Sequence, residues 1–144
     1  MVLCIPAQTG GKHTIQIHQS AEDYLETILM LSQRMGKVRS IDVVNELGFT
    51  KASVSIAMKK LRENGYIAVD GEGNLTLLAP GREIAERIYS RHRLLTHFFM
   101  QLGVDEKTAA EDACKAEHIL SEQTLEKIRE RAIETDAELG KTVK

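Results

Sequence analysis

The sequence contains no tryptophan, and aromatic residues make up only 4% of it. The interior must therefore be filled with Leu, Ile, Val, Ala and Met, which favours a helical core. Cysteine is scarce as well. Cys4 and Cys114 alone cannot form a disulfide framework, and reduced thiols in a cytoplasmic protein are expected. No apolar run is long enough to span a bilayer. The opening MVLCIPAQTGGKHT lacks the basic start and apolar core of a secretory signal. The net charge is only −2, so the chain as a whole is not a polyelectrolyte partner for nucleic acid.

What is present is ordinary in amount and uneven in placement. The 144 residues suffice for one domain with a real core or for two small ones. Residues 1–93 hold 12 Lys and Arg against 10 Asp and Glu, whereas residues 94–144 hold 7 against 11. A half able to face phosphate is thus joined to one able to face cations or another subunit.

The stretch 111–121, EDACKAEHILS, has helix formers and neither Gly nor Pro. On a helix, Cys114, Glu117 and His118 share one face, and Ala109, Ala113, Ala116 and Leu120 form a neighbouring apolar stripe. One face can pack while the other presents a thiol, a carboxylate and an imidazole, potential metal ligands of mixed softness. The competing reading is a buried cysteine beside a solvated Glu and His.

Along the chain, residues 1–19 contain Pro6, Gly10 and Gly11 and read as a flexible arm. Ser20, with Asp23, reads as a cap opening a helix whose inner stripe is Leu25, Ile28, Leu29 and Ser32. Asp23 and Glu26 share another side of that helix. They are either first-turn carboxylates favoured by the helix dipole or paired oxygen ligands. After Gly36, Ser40 caps a short helix, Gly48-Phe49 turns the chain, and Thr50 caps a third helix to about Asn64. That is a helix-turn-helix pattern. Val54, Met58 and Leu61 of its second helix face inward. Lys51, Ala52, Ser53, Ser55, Ile56, Lys59, Lys60 and Arg62 face mostly outward. Ser53 and Ser55, with Lys51 beside them, are expected at base edges, and Lys59 and Lys60 at phosphates. Two strand-like runs, 66–69 and 75–78, flank the turn-rich Asp70-Gly71-Glu72-Gly73-Asn74. A helix-turn-helix followed by a β-hairpin is a winged helix.

Pro80 opens a long fourth helix, expected to reach about Leu102, with His92 on it. A turn at Gly103 leads to a ligand helix over 105–119, and Ser121 caps a last helix ending near Ala137. The fold class is therefore mainly α. A winged-helix DNA-binding domain is expected over 20–79, a helical dimerisation and metal-binding domain over 80–137, and a frayed tail over 138–144.

Together, SAEDYLETILML, the helix-turn-helix with its wing, SRHRLLTHFF and EDACKAEHILS resemble the iron- and manganese-dependent repressors, the family that includes the diphtheria toxin repressor and the manganese transport regulator. The resemblance covers about residues 20–135. It implies a homodimer that binds a near-palindromic double-stranded DNA operator when loaded with Mn²⁺ or Fe²⁺, with metal held where the first helix meets the second domain. At this length the chain looks like the short, manganese-regulator type, without an SH3-like domain. By the same resemblance Asp23 and Glu26 match the acidic ligands of the manganese type, His92 a histidine of both types, and Glu117 and His118 the shared Glu-His pair. Cys114 stands where the manganese type has Glu and agrees with the iron type. Asp23 departs from the iron type, which has Met. Thr96 and Ala110 occupy positions of further ligands in the iron type, so its ancillary site looks absent.

Other functions fit less well. Cys, His and Glu could serve nucleophilic catalysis, but these lie on one helix with no Gly-rich loop or oxyanion donor nearby, so an enzyme is not expected. A plain metal buffer leaves the winged helix without a purpose. The alternative retained is a winged-helix regulator without metal activation, sensing redox through Cys114.

Overall fold

Helix α1 runs Thr14–Met35, and Asp23 to Leu29 are buried without interruption. The computed structural model describes residues 14–140. Most of the expected arm, residues 1–13, lies outside them. The rest of the arm, from Thr14 on, is already helical, so the expected cap at Ser20 falls inside a helix. The physical reason is that neither Gly nor Pro stands between Thr14 and Ser20 to stop a helix growing back from its core-anchored part.

The described residues contain six helices and three short strands and divide into two compact units, with the boundary between Ile88 and Tyr89 inside helix α4, Ala79–Gln101. In the N-terminal unit, α2 (Ser40–Leu47) and α3 (Lys51–Glu63) form the helix-turn-helix. Gly48 sits between them at φ 71, a left-handed conformation that costs glycine little, and its N–H bonds the Val44 carbonyl to close α2. Thr50 caps α3 as expected, accepting from the Ser53 N–H at 3.1 Å. Ser40 does not cap α2. The cap position is Arg39, whose N–H donates to the Asp42 carboxylate at 2.9 Å, and Ser40 is the first helical residue.

The wing is a three-stranded antiparallel sheet in the order β1-β3-β2. The hairpin of β2 (Ile67–Val69) and β3 (Asn74–Leu77) matches the expected runs within a residue. Strand β1, only Val38–Arg39, pairs Val38 with Leu75 and has too few residues to show a period. Asp70 fastens the hairpin turn, accepting from the Glu72 and Asn74 N–H groups and from Asn74 Nδ2, each at 2.9 Å. These bonds, that from the Asn74 side chain foremost, hold the Asp70 carboxyl below its ordinary value. At the start of α4, Gly81 presses against this sheet's root. A Cβ there would collide with the Tyr66 carbonyl oxygen, which already accepts from the Leu78 N–H at 2.9 Å. The core of the unit joins Leu25, Ile28 and Leu29 of α1 to Val43 and Leu47 of α2, Val54 and Leu61 of α3, and Ile67 of the wing.

The C-terminal unit is all helical. The second part of α4 packs with α5 (Glu106–Ala116) and α6 (Glu122–Glu138) around Leu94, Leu95, Ala113, Leu125 and Ala132. Ala109 and Ala113 are fully buried, which confirms the small-residue stripe and lets α5 approach its neighbours closely. Asp105 and Ser121 cap α5 and α6 through the N–H groups of Thr108 and Thr124. A polar clasp joins α4 to α6. Buried Asp136 accepts from His97 Nε2 at 2.8 Å and from Gln101 Nε2 at 2.9 Å, and Gln101 also donates to the Ala132 carbonyl.

Candidate metal centre and nucleic-acid interface

Helix α5 is shorter than the sequence suggests. It ends at Ala116, so Glu117 is its C-cap and His118 lies in the following turn. Glu117 nevertheless keeps right-handed helical dihedrals, and its N–H bonds the Ala113 carbonyl. Its side chain therefore still follows the helical direction three residues beyond Cys114. The carbonyl of Glu117, which the helix leaves without a partner, accepts from Arg91 Nη1 at 3.1 Å. Arg91 also pairs with Glu122 at the start of α6. The guanidinium thus fastens the end of α5 to the two helices that flank it.

His92 reaches the same place from α4. It lies three residues before the fully buried Leu95, so its ring is directed into the unit. His92 Nδ1 and Glu117 Oε2 are 3.0 Å apart. On the other carboxylate oxygen, His118 Nε2 lies 3.4 Å from Glu117 Oε1. Ligand atoms of His92, Cys114 and Glu117 all fall within 4.8 Å of one another. Glu117 is 0% exposed, and the His92, Cys114 and His118 side chains are buried too. The alternative of a solvated Glu and His beside a buried cysteine is thereby removed.

The donor set fits a metal. Burying an ionised carboxylate costs several kcal/mol unless cations or donors surround it. Glu117 also stands at the negative end of the α5 dipole, where a cation is favoured and an anion is not. A divalent ion offsets both penalties. One carboxylate and two imidazoles suit a first-row transition ion. Cys114 is disulfide-bonded in this structure, against the expectation of reduced thiols, and would add its sulfur only once reduced. Asp23 and Glu26, the two remaining ligands the sequence suggests, are buried on α1 in the N-terminal unit, one turn apart. At Thr96 the hydroxyl donates to the His92 carbonyl at 2.7 Å, and Ala110 is buried in α5.

On α3, Lys51, Ser53, Ser55, Lys59 and Lys60 are all exposed. Ser53 Oγ accepts from the Thr50 hydroxyl at 2.9 Å, which leaves its own proton available to an outside acceptor. Two features have no role in the sequence reading. Arg91 stands in the SRHR run beside His92, and its position one residue before a ligand candidate was the available signal. Ile56 is 58% exposed on the outward side of α3, beside Lys59 and Lys60.

Comparison with known proteins agrees with both halves. Residues 16–75 match the family model of the iron dependent repressor N-terminal DNA binding domain. Residues 79–134 match that of the iron dependent repressor metal binding and dimerisation domain. An uncharacterized HTH-type transcriptional regulator of Methanocaldococcus jannaschii is 36% identical over 113 residues, covering 77% of this chain and 90% of that protein. The HTH-type transcriptional regulator MntR of Bacillus subtilis is 34% identical over 109 residues, covering 76% and 77%. Among solved structures, a manganese-dependent transcriptional repressor in complex with manganese superposes with a TM-score of 0.68 at 30% identity. The manganese regulator SloR superposes at 0.66 and 27%. Both alignments cover 83% of this chain, which spans only about half of each solved chain, 52% and 53%.

Proposed function

The chain belongs to the iron-dependent repressor family, and from that premise we propose that it is a metal-dependent transcriptional repressor that binds a near-palindromic operator as a homodimer when loaded with Mn²⁺ or Fe²⁺. It is a regulator and not an enzyme. The observation that carries the reading is the buried convergence of His92, Cys114, Glu117 and His118 in a chain whose other half presents a basic recognition helix. In this reading residues 20–79 hold DNA, residues 80–137 dimerise and hold metal, and the protein acts in the cytoplasm.

Asp23 and Glu26 of α1 join the four residues of the helical unit as ligands. Three carboxylates and two imidazoles make the set oxygen-rich, which suits Mn²⁺ and also accepts Fe²⁺. Cys114 is the soft member. Three carboxylates already neutralise a divalent ion, so ionising the thiol as well is unfavourable. Mn²⁺ is therefore the preferred activator, with Fe²⁺ close behind. The ion raises DNA affinity only through its greater affinity for the DNA-binding state, so DNA must raise metal affinity by the same factor. Lys51, Ser53 and Ser55 approach base edges and Lys59 and Lys60 the phosphates. Two subunits place their α3 helices a whole number of DNA turns apart, which requires a two-fold symmetric operator.

The test is a DNA-binding titration with Mn²⁺, Fe²⁺, Co²⁺ and Zn²⁺ under anaerobic, reducing conditions. Activation by Mn²⁺ or Fe²⁺ is expected. DNA affinity independent of every metal would overturn the reading.

A further inference from the structure

We propose that Ile56 is a specificity-determining residue, and that it selects operators by apolar contact with a thymine 5-methyl group in the major groove. The proposal rests on the repressor reading and deepens it.

The argument starts from the helix. At about 100° per residue, Ile56 lies about 160° round α3 from Val54, about 160° from Met58 and about 140° from Leu61. Those three side chains are buried and define the inward direction. Ile56 is therefore nearly diametrically opposite the core. Ser53 and Ser55 come closer to it, within about 80° of Leu61 and about 60° of Met58 respectively. When the helix lies in a groove, the side chain at the centre of the outward face reaches the floor first, and those at its flanks face the walls. The deepest position on this helix is thus aliphatic, not hydroxylic.

Ala52, one turn earlier on the same ridge, is also exposed, and its small size lets the backbone come close. Lys59 and Lys60 flank the ridge, about 60° and 40° from Ile56, Lys51 and Arg62 lie further round towards the core, and Glu63, the single acidic residue on the helix, ends the ridge two turns on. This charge pattern commits the surface to a polyanion and argues against an apolar protein groove. An isoleucine can make no hydrogen bond to a base edge. The apolar group that the major groove offers it is the thymine methyl. Leaving Ile56 58% exposed in the free protein gains nothing for the fold. Covering it with a methyl group would bury both.

The experiment begins with selection from a random duplex library by the Mn²⁺-loaded full chain at fixed salt. Each thymidine of the selected half-site is then replaced in turn by deoxyuridine, which removes only the methyl group. At one or two positions the wild type should lose about four-fold in affinity, the value of one buried methyl. Ile56→Ala should bind the parent duplex more weakly and be indifferent to deoxyuridine at those positions. Ile56→Ala removes an exposed side chain, and an unchanged melting temperature verifies its fold. Lys60→Ala is the control. It should weaken all duplexes alike, flatten the salt dependence by about one unit, and keep the wild-type response to deoxyuridine. Tight wild-type binding with no sensitive thymine overturns the role of Ile56 while leaving the repressor intact. Sensitivity that persists undiminished in Ile56→Ala also overturns it. Failure to bind any duplex with any metal overturns the repressor reading itself.

Discussion

His92 and Glu117 are 25 residues apart in sequence, on α4 and at the end of α5, and their Nδ1 and Oε2 atoms lie 3.0 Å apart. The α5 carboxylate is fully buried, with His118 on its second oxygen. Glu117→Gln keeps the shape of the side chain and removes its charge. His118→Ala removes a neutral donor. Each should lower metal affinity by about two orders of magnitude or more, since even partners outside the ligand set of a metal are worth about 10–100-fold. Metal-activated DNA binding should be lost while helix content is retained. Normal activation in either variant would show that metal is held elsewhere.

Arg91 donates to the Glu117 carbonyl and pairs with Glu122, so it would position a proposed ligand without being one. Arg91→Met retains the aliphatic stem and removes the guanidinium. Metal affinity should fall by about ten-fold, and Arg91→Lys should recover part of it. Calorimetric titration of Mn²⁺ reads this directly. Equal affinity in Arg91→Met would mean that the end of α5 is held well enough without it.

Cys114, disulfide-bonded in this structure, would be the one soft donor of the buried cluster once reduced. Cys114→Glu should raise activation by Mn²⁺ and reduce the response to Fe²⁺, because a hard oxygen replaces sulfur. Loss of Mn²⁺ activation in this variant would identify Cys114 as a thiolate ligand and Fe²⁺ as the better fit.

In the wing, the Asp70 carboxyl is held below its ordinary value by Asn74, first through the side-chain amide and then through the backbone N–H. A lowered folded value means that the stabilisation is complete above the unfolded value. It is lost as the pH falls through the folded one. Following the Asp70 carboxyl resonance during acid titration should give a midpoint below that of an unfolded aspartate. Asn74→Ala should move the midpoint upward and extend loosening of the hairpin to higher pH. An unmoved midpoint would show that backbone donors alone set it.

Much of this was legible in the sequence because it is written in local chemistry. Thr50 and Ser121 announce the starts of α3 and α6, Gly48 the turn of the helix-turn-helix, and the Asp70–Asn74 cluster the hairpin. The misreadings have local causes too. Ser20 looks like a cap, yet nothing before it as far as Thr14 breaks a helix. Glu117 and His118 are acceptable helix residues, so their sequence does not mark the end of α5, which the backbone bonds of Ile119 and Leu120 to the Ala116 carbonyl show. The two-residue β1 exists because β3 is there to pair with it. The clasp of His97, Gln101 and Asp136 joins positions up to 39 apart, and no local pattern marks such a pairing. Ile56 was visible as an outward-facing residue, but its depth on the ridge follows only once Val54, Met58 and Leu61 are fixed as the inward side.

The close approach of Gly81 to the Tyr66 carbonyl has a bearing on genetics. A loss-of-function screen would return substitutions at position 81 together with those at ligands and lysines, although this glycine touches neither ion nor operator. Even alanine there must push the start of α4 off the sheet, so such alleles would behave as null whatever metal is supplied in the medium. Ligand alleles, in contrast, would leave a folded polypeptide that accumulates normally. Abundance in the cell, not repression, separates the two classes.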